Sequence, residues 1–293
     1  MTDDLATFET HRPALLSLAY RMLGELSRAE DIVQSAWMRW SERRAAVQTP
    51  RSFLLTAVAR LCLDELGAAR HRWEETRGTS LPEPVDLRET ELARLETLDQ
   101  ISMAFVVLLQ RLTPAERAVF LLHDVFDMGH AEIGERLGKS DAACRQLLKR
   151  ARENVAEERR TLETSDQEHR RLFEAFVRAM QTGDESALEL LLAEDATLVV
   201  DPGPASHYGR IRALGGPVVG AARVLGLVRS FLEQSETEGT RYEPRLLNGQ
   251  AGMVTIREGR VTSAVTLAVA AGRICGVYVQ YDPSKLGRVR PTA

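Results

Sequence analysis

The spacing of hydrophobic residues divides the chain into two parts. Up to Val155, apolar residues recur every three or four positions, as between Phe8 and Gly24, and this periodicity predicts a series of amphipathic helices. After Thr197 the pattern changes to short strand-like segments, and Asn248-Gly249, Glu258-Gly259 and Ala271-Gly272 are tight-turn signals between them. Two helical segments precede these strands. The pattern therefore predicts a multidomain protein in which all-α domains are followed by an α+β domain.

The clearest local motif runs from His130 to Val155 and predicts a helix-turn-helix. Gly138 lacks a Cβ and permits the left-handed conformation of a sharp turn, after which Ser140 can cap the second helix. Arg and Lys neutralise phosphates, and Arg and Gln also pair with base edges in the major groove. An ordinary solvated basic helix is the alternative. The candidate DNA-binding residues are Ser140, Arg145, Gln146, Lys149, Arg150 and Arg152.

A second basic helix begins at Thr49-Pro50, where the threonine caps the helix and the proline takes its first position. Its outer side is positively charged and Trp73 follows, a combination suited to a nucleic-acid single strand through phosphate pairing and base stacking. Taken by itself, this helix is better explained as a solvated face with a partly buried tryptophan. Its candidate residues are Arg51, Arg60, Arg70, His71 and Arg72.

Composition limits the other classes of function. The 293 residues are 44% hydrophobic and 27% charged, with a net charge of -4, so attraction to DNA must come from local basic faces. The acidic N-terminal residues lack an apolar core, and every apolar run is shorter than the roughly 20 residues of a membrane helix. We therefore expect a cytoplasmic protein. Cys62, Cys144 and Cys275 lie far apart, which argues against a structural zinc site, and we expect neither a metal nor a cofactor. Each cysteine lies among apolar residues in a periodic segment, which predicts three buried thiols.

The order of the helical motifs resembles the sigma factors of bacterial RNA polymerase of the extracytoplasmic-function type. The segment similar to the polymerase-binding helix of region two reads GELSRAEDIVQSAWMRW, and the one similar to the minus-10 reader reads TPRSFLLTAVARLCLDELGAARHR. The segment similar to region four reads LTPAERAVFLLHDVFDMGHAEIGERLGKSDAACRQLLKRAREN. The resemblance implies binding to RNA polymerase core and to the minus-35 and minus-10 promoter elements. Its candidates for polymerase binding are Asp31, Gln34, Trp37 and Arg39.

The second half is similar to the SnoaL-like fold, an α+β cone-shaped barrel shared with ketosteroid isomerases and carried by some sigma factors. Those sigma factors have a Leu-Pro-Glu-Pro linker, an Asn-Gly-x-x-Gly turn and an Asn-Pro-Asp-Lys-Leu end. This chain keeps the first two, but its end begins Asp282-Pro283-Ser284, and Ser80 stands where a tryptophan is usual. The resemblance implies regulatory interdomain contacts by Leu81, Pro82, Glu83, Pro84, Asp201, Asn248, Gly249, Gly252, Asp282, Pro283, Lys285 and Leu286.

These motifs predict four segments. Residues 1–77 are sigma region 2, 78–110 are a linker with a connecting helix, 111–160 are region 4, and 167–286 are the SnoaL-like regulatory domain. The predicted function is an alternative sigma factor whose own C-terminal domain modulates its activity, and we expect the residues after Leu286 to be dispensable. The alternative is a one-component helix-turn-helix regulator with a ligand-binding C-terminal domain.

The C-terminal barrel also raises the question of catalysis. A cup-shaped fold is a natural ligand site, and an aspartate base facing a tyrosine donor would suit proton abstraction next to a carbonyl. The candidate residues are Asp195, Asp201, His207 and Tyr208. However, an aspartate in a Pro/Gly turn commonly bonds its own backbone. We therefore expect a regulatory domain rather than an enzyme, with a small-molecule ligand in the barrel as an open alternative.

Overall fold

The chain folds into two compact units in the computed structural model, which describes residues 2–43, 47–73, 80–90, 92, 101–156, 164–203, 216–235 and 240–292. The N-terminal unit comprises Met1–Thr76, Arg94–Glu96 and Val106–Glu158, and the C-terminal unit comprises Arg77–Ala93, Thr97–Phe105 and Arg159–Ala293. Most of residues 78–105, which the sequence predicts to be part of the linker between regions 2 and 4, therefore belongs to the C-terminal unit.

The regular elements described within the first 156 residues are helical. In chain order they are α1 (Thr2–Leu23), α2 (Leu26–Arg43), α3 (Pro50–Trp73), α4 (Met103–Leu109), α5 (Pro114–Phe120), α6 (His130–Leu137) and α7 (Asp141–Val155), with a π-helical turn at Leu121–Val125 after α5. A capping box starts α5, because the Thr113 hydroxyl accepts the Glu116 N–H while the Glu116 carboxylate accepts the Thr113 N–H. The prediction of helices in this part of the chain is confirmed, although α2 begins at Leu26, one residue before its expected cap at Ser27.

The core of the N-terminal unit contains two buried arginines that the hydrophobic pattern did not predict. Arg117 of α5 donates through Nη1 to the Met22 carbonyl of α1, and Arg21 of α1 lies 5.7 Å from the centre of the Phe126 ring. Within the described residues, Nε of both arginines lacks a hydrogen-bond partner. Burial lowers the pKa of Arg21 to about 9 and that of Arg117 to about 10. This core therefore buries two guanidinium groups that pair with none of the described carboxylates.

The C-terminal unit is an α+β domain, as predicted. Its helices are α8 (Asp166–Thr182), α9 (Glu185–Leu191), α10 (Ala221–Ser235) and α11 (Pro283–Leu286), and a 3₁₀ turn lies at Leu87–Glu89. Its strands are β1 (Leu192–Asp201), β2 (Val218–Val219), β3 (Arg241–Leu247), β4 (Gln250–Arg257), β5 (Arg260–Ala270) and β6 (Arg273–Gln280). The sheet has the order β2-β1-β6-β5-β4-β3, with β1 parallel to β6 and the other pairs antiparallel.

Each predicted tight turn joins two antiparallel strands. Asn248 and Gly249 have φ values of 51° and 79° and connect Leu247 to Gln250, as a two-residue hairpin with two positive φ angles requires. The turns at Glu258-Gly259 and Ala271-Gly272 have the same conformation. Alternation and turn residues therefore predicted this part of the sheet correctly, whereas the two-residue strand β2 was not predicted.

The sheet buries apolar residues on both faces. One cluster joins the sheet to α8, α9 and α10 and includes Phe173, Phe176 and Val224. A smaller cluster on other sheet residues includes Leu247 and Ile256 and is completed by Leu286 and Val289. Both faces are therefore covered, one by helices and the other partly by the C-terminal residues.

The structure corrects the expectation that the residues after Leu286 are dispensable. Val289 is only 3% exposed, and Arg245 of β3 donates to the Arg290 carbonyl at 3.1 Å. Glu243, which also pairs with Arg245, accepts hydrogen bonds from Thr292. Sequence reasoning missed these contacts because a short polar tail carries no periodicity.

The cysteine prediction is confirmed in part. Cys62 and Cys144 are buried, whereas Cys275 is half-buried and its Sγ donates to the Ala268 carbonyl at 3.4 Å. All three are free thiols.

Candidate nucleic-acid interface and linker contact

Helix α7 buries its apolar face in the N-terminal unit and exposes a basic outer face. Cys144 and Leu148 are buried, as are Ala151 and Val155. Ser140 caps the helix, with its Oγ accepting the Ala143 N–H at 3.1 Å, and Gly138 has the expected left-handed backbone with φ of 67°. The helix-turn-helix prediction is therefore confirmed in its geometry. The exposed residues on the outer face are Arg145, Gln146, Lys149, Arg150 and Arg152.

Two of the cations on this face, Arg145 and Lys149, form solvent-exposed ion pairs within α7. Arg145 pairs with Asp141, and Lys149 lies 3.8 Å from Glu153, in each case one helical turn along α7. The Arg145 and Lys149 side chains are 61% and 75% exposed, so these surface pairs contribute little and leave both cations accessible to phosphates.

Arg152 has a structural partner. Its Nε and Nη2 donate to the two carboxylate oxygens of Asp124 at 3.0 and 2.6 Å. Burial acts to raise the pKa of Asp124, but the hydrogen bonds from Arg152 and His123 outweigh it and hold that pKa below its usual value. Because the Asp124 side chain is only 9% exposed, this pair fixes α7 on the segment that follows α5.

The basic face of α3 is only partly described. Arg60 and Arg51 are exposed, and Arg51 donates through Nη1 to the Phe126 carbonyl at 3.2 Å. The side chains of Arg70, His71 and Arg72 lie outside the described residues. Both described candidates on α3 are therefore exposed, and Arg51 is in addition anchored to the Phe126 carbonyl.

Helix α2 presents a mixed polar and apolar outer face. Asp31, Gln34 and Arg39 are exposed, and Met38 among them is 54% exposed. Trp37 is half-buried and packs edge-to-face on Phe8 with ring centres 4.8 Å apart. Sequence reasoning did not single out Met38, although an apolar residue at an outward helical position was the available signal.

The Leu81-Pro82-Glu83-Pro84 segment is buried within the C-terminal unit. The Leu81 N–H donates to Oδ2 of Asp201 at 2.8 Å, and Lys285 Nζ approaches the same oxygen at 2.7 Å. Lys285 also donates to the Leu81 carbonyl at 2.7 Å and to Ser80 Oγ at 2.6 Å. One buried ion pair therefore binds both backbone groups of Leu81. We call these contacts of Asp201, Lys285 and Leu81 the linker clamp.

Gln280 extends the linker clamp. Its Nε2 donates to Asp201 Oδ2 at 3.1 Å and lies 3.4 Å from the carbonyl oxygens of Leu81 and Pro82. Its Oε1 accepts the Asp282 N–H, and Asp282 in turn caps α11 through the Ser284 N–H. Gln280 is 1% exposed and was not among the predicted residues, because an amide inside a strand gives no sequence signal of such a role.

Asn248 makes a second set of contacts with the same linker. Its Oδ1 accepts the Val85 N–H at 3.0 Å, its backbone N–H donates to the Val85 carbonyl, and its Nδ2 donates to the Ile101 carbonyl at 2.9 Å. Gly249 supplies the turn beside it. At Gly252 an added Cβ would lie 3.0 Å from the Val265 carbonyl oxygen, a tight contact that favours glycine at this position.

The remaining predicted linker residues lie close by. Glu83 is 5% exposed and its carboxylate lies 3.7 Å from Nε of Arg288. Pro283 occupies the first turn of α11, and Leu286 packs in the smaller apolar cluster. The structure therefore brings the predicted linker and C-terminal residues together within one unit.

The catalytic candidates that the structure describes do not form a catalytic site. Asp195 is exposed on β1, while Asp201 is occupied by the linker clamp. His207 and Tyr208 lie outside the described residues. Within the described chain, no three His, Cys, Asp or Glu side chains are grouped as a metal site would require. None of the described helices is both long and apolar enough to cross a membrane.

Comparison with known proteins decides between the two predicted functions. The model of Sigma-70 region 2 matches residues 7–72, and that of Sigma-70, region 4 matches residues 102–155. The ECF RNA polymerase sigma factor SigJ of Mycobacterium tuberculosis (strain ATCC 25618 / H37Rv) is 34% identical over 301 residues, which cover 96% of this chain and 93% of SigJ. This chain belongs to the extracytoplasmic-function sigma factors.

Other relatives of this sigma factor agree. The probable ECF RNA polymerase sigma factor SigI of Mycobacterium tuberculosis (strain CDC 1551 / Oshkosh) is 31% identical, covering 97% of this chain and 95% of SigI. The crystal structure of SigJ superposes with a TM-score of 0.75 at 30% identity, over 97% of this chain and 98% of that one. The likeness thus includes the C-terminal α+β domain.

The chain is therefore an alternative sigma factor that directs RNA polymerase, and it is a transcription factor. The alternative of a one-component helix-turn-helix regulator is set aside, because it leaves the region 2 match over residues 7–72 unexplained.

Proposed function

We propose that this sigma factor reads the minus-35 element with α7 and the minus-10 element with α3, acting in the cytoplasm on RNA polymerase core. The exposed outer face of α7 supports this assignment, since Arg145 and Gln146 carry the donors that pair with base edges and Lys149 can neutralise a phosphate. Arg150 and Arg60 add exposed charge for phosphates. We assign Ser140 and Arg152 mainly to holding α7 in place.

The proposed polymerase-binding surface is the outer face of α2. Asp31, Gln34 and Arg39 provide its polar contacts, and the exposed Met38 provides an apolar centre of the kind that protein interfaces favour. Trp37 supports this face by packing on Phe8.

The test of promoter reading is run-off transcription with purified core polymerase. An Arg145→Ala/Lys149→Ala variant should lose promoter-specific initiation, because the lost base-edge pair of Arg145 costs about 1–3 kcal/mol of discrimination and the lost charge of Lys149 removes a phosphate contact. Arg170→Ala/Arg171→Ala, which removes two exposed arginines of α8, is the control with an equal change of charge. Normal initiation by a folded Arg145→Ala/Lys149→Ala variant would remove these residues from promoter recognition.

We further propose that the C-terminal domain regulates the sigma factor through the linker clamp. The observation that carries this proposal is that one buried carboxylate, Asp201, binds Leu81 of the segment joining the region 2 match to the region 4 match. A domain that holds this segment controls the chain between the two promoter readers. This role needs no catalytic centre, and Asp201 is used as a hydrogen-bond acceptor rather than as a base.

The regulatory role is tested by loosening the linker clamp in the full-length protein. Asp201→Asn should change the yield of run-off transcript severalfold, since it weakens the contact with Lys285. Asp195→Asn makes the same substitution at an exposed position of β1 and should leave transcription unchanged. Equal transcription by the two variants would contradict regulation through the linker. Deleting residues 167–293 is the coarser test, and we expect it to change promoter binding as well.

A further inference from the structure

The C-terminal domain contains a large cavity. It lies between α8 and the sheet, has a volume of about 910 Å³, and is walled by apolar side chains such as Phe176, Met180, Leu198 and Val277. Small-molecule sites in proteins commonly occupy about 300–1,000 Å³ and are mainly apolar. The cavity is therefore large enough to hold a small molecule.

The charge of the lining selects against ionised ligands. Among the described lining residues only Arg229 and Glu185 are charged, and these two lie 3.4 Å from each other at an exposed position. Moving an ion from water into an apolar site is unfavourable unless the site supplies an opposite charge. The described walls thus favour a neutral molecule.

Two hydroxyl groups in the cavity wall form a hydrogen-bonded pair. Ser263 Oγ donates to Thr255 Oγ1 at 2.8 Å, and both residues line the cavity. A hydroxyl that accepts a hydrogen bond still has its own proton to donate. Thr255 can therefore donate to a ligand, and the matching ligand group is an acceptor such as a carbonyl oxygen.

Strand β6 connects the cavity to the linker clamp. Val277 and Val279 line the cavity, as does Tyr281 directly after the strand. Gln280 lies between two of these residues and, because successive side chains of a strand point to opposite faces, it faces away from the cavity. There it binds Asp201 Oδ2, while the Tyr281 N–H donates to the Asp201 carbonyl at 2.8 Å.

We infer that this cavity binds a neutral, largely apolar small molecule with a hydrogen-bond acceptor, and that its occupancy changes the strength of the linker clamp through β6. The regulatory half of this inference rests on the proposed role of the clamp, whereas the binding half does not. Linkage is reciprocal, so a ligand that alters the linker clamp must bind with altered affinity when the clamp is broken.

The binding half is tested with prodan, a neutral fluorescent naphthyl ketone, added to the full-length protein. Saturable binding of one molecule per chain is expected, together with much weaker binding of the anionic naphthalene dye ANS. Thr255→Val should weaken prodan binding about fivefold by removing one hydrogen bond. Thr266→Val is the matched control, because Thr266 is a neighbouring β5 residue outside the cavity lining, and it should leave the affinity unchanged.

The outcomes separate the two halves. Absence of saturable prodan binding, equal affinity for ANS, or equal affinity of Thr255→Val and Thr266→Val would overturn the ligand assignment without touching the proposed regulation. The regulatory half predicts that Lys285→Met changes prodan affinity at least threefold and that prodan changes run-off transcription by the wild type. If Lys285→Met binds prodan like the wild type, the coupling through β6 is refuted, although the cavity remains a ligand site.

Discussion

The linker clamp allows a quantitative prediction for Lys285→Met. Lys285 Nζ and Asp201 Oδ2 are 2.7 Å apart, with side chains 11% and 6% exposed. Removing one partner of such a buried pair leaves an uncompensated charge and costs about 3–5 kcal/mol. Because Lys285 also donates to the Leu81 carbonyl, and this hydrogen bond is lost with it, most of this loss should appear as easier local release of Leu81. At about 1.4 kcal/mol per tenfold, even the lower bound corresponds to roughly a hundredfold.

Amide hydrogen exchange of the full-length protein measures this release directly. In Lys285→Met, the protection factor of the Leu81 amide should fall roughly a hundredfold. The Val254 amide, in the middle of β4 and paired with β5, is the internal control and should change much less. The Val85 amide, which is bound by Asn248 instead, should show an intermediate loss.

A second substitution checks the electrostatic reasoning. Asp201→Leu combined with Lys285→Met removes both charges, so the double variant should cost less than the sum of the two single variants. Leu81 protection within twofold of the wild type in Lys285→Met, with the fold intact, would refute the view that this ion pair holds the linker.

Three further predictions concern stability. Arg21→Met should raise the free energy of unfolding of the N-terminal unit by about 1–3 kcal/mol in urea titrations, because it removes a buried guanidinium that pairs with no described carboxylate. The surface control Arg60→Met should have little effect, and a loss of stability in Arg21→Met would contradict this reasoning. Burial lowers the pKa of His169, whose Nε2 donates to the Leu267 carbonyl. Its contribution to stability is therefore fully present above its unfolded pKa of about 6.5 and is lost as the pH falls toward the lower folded pKa, so His169→Gln should flatten the pH dependence of unfolding over that window. Truncation after Leu286 should destabilise the C-terminal unit by about 2 kcal/mol by exposing the cluster around Val289, whereas truncation after Thr292 should leave its melting temperature unchanged.

Local sequence signals predicted a large part of this structure. The positive φ angles at Asn248 and Gly249, the cap at Ser140 and the capping box at Thr113 each depend on a few neighbouring residues, so they can be read from a short segment. The inward stripe of α7 follows in the same way from helical spacing. The resemblance of whole segments then supplied the family, which periodicity alone does not provide.

Side-chain partners across long separations were not predictable. Arg21 and Arg117 are charged residues that would ordinarily be solvated, and they are buried where Arg117 meets the Met22 carbonyl and Arg21 meets the Phe126 ring. Gln280 gave no signal either, because its role depends on the positions of Asp201 and Leu81.

The sequence by itself determined the helix-turn-helix, the basic outer face of α7, the hairpin turns and membership of the sigma factor family, since these depend on local conformation or on whole-segment similarity. The tertiary structure decided that Leu81 meets Asp201 and that Val85 meets Asn248, across 120 and 163 positions of the chain. The tertiary structure also decided which charged side chains on the helices pair with another segment of the chain, as Arg152 does with Asp124, and which pair only within their own helix. The physical reason is that burial and pairing of polar groups depend on which distant segments fold against one another, and no short stretch of sequence encodes that choice.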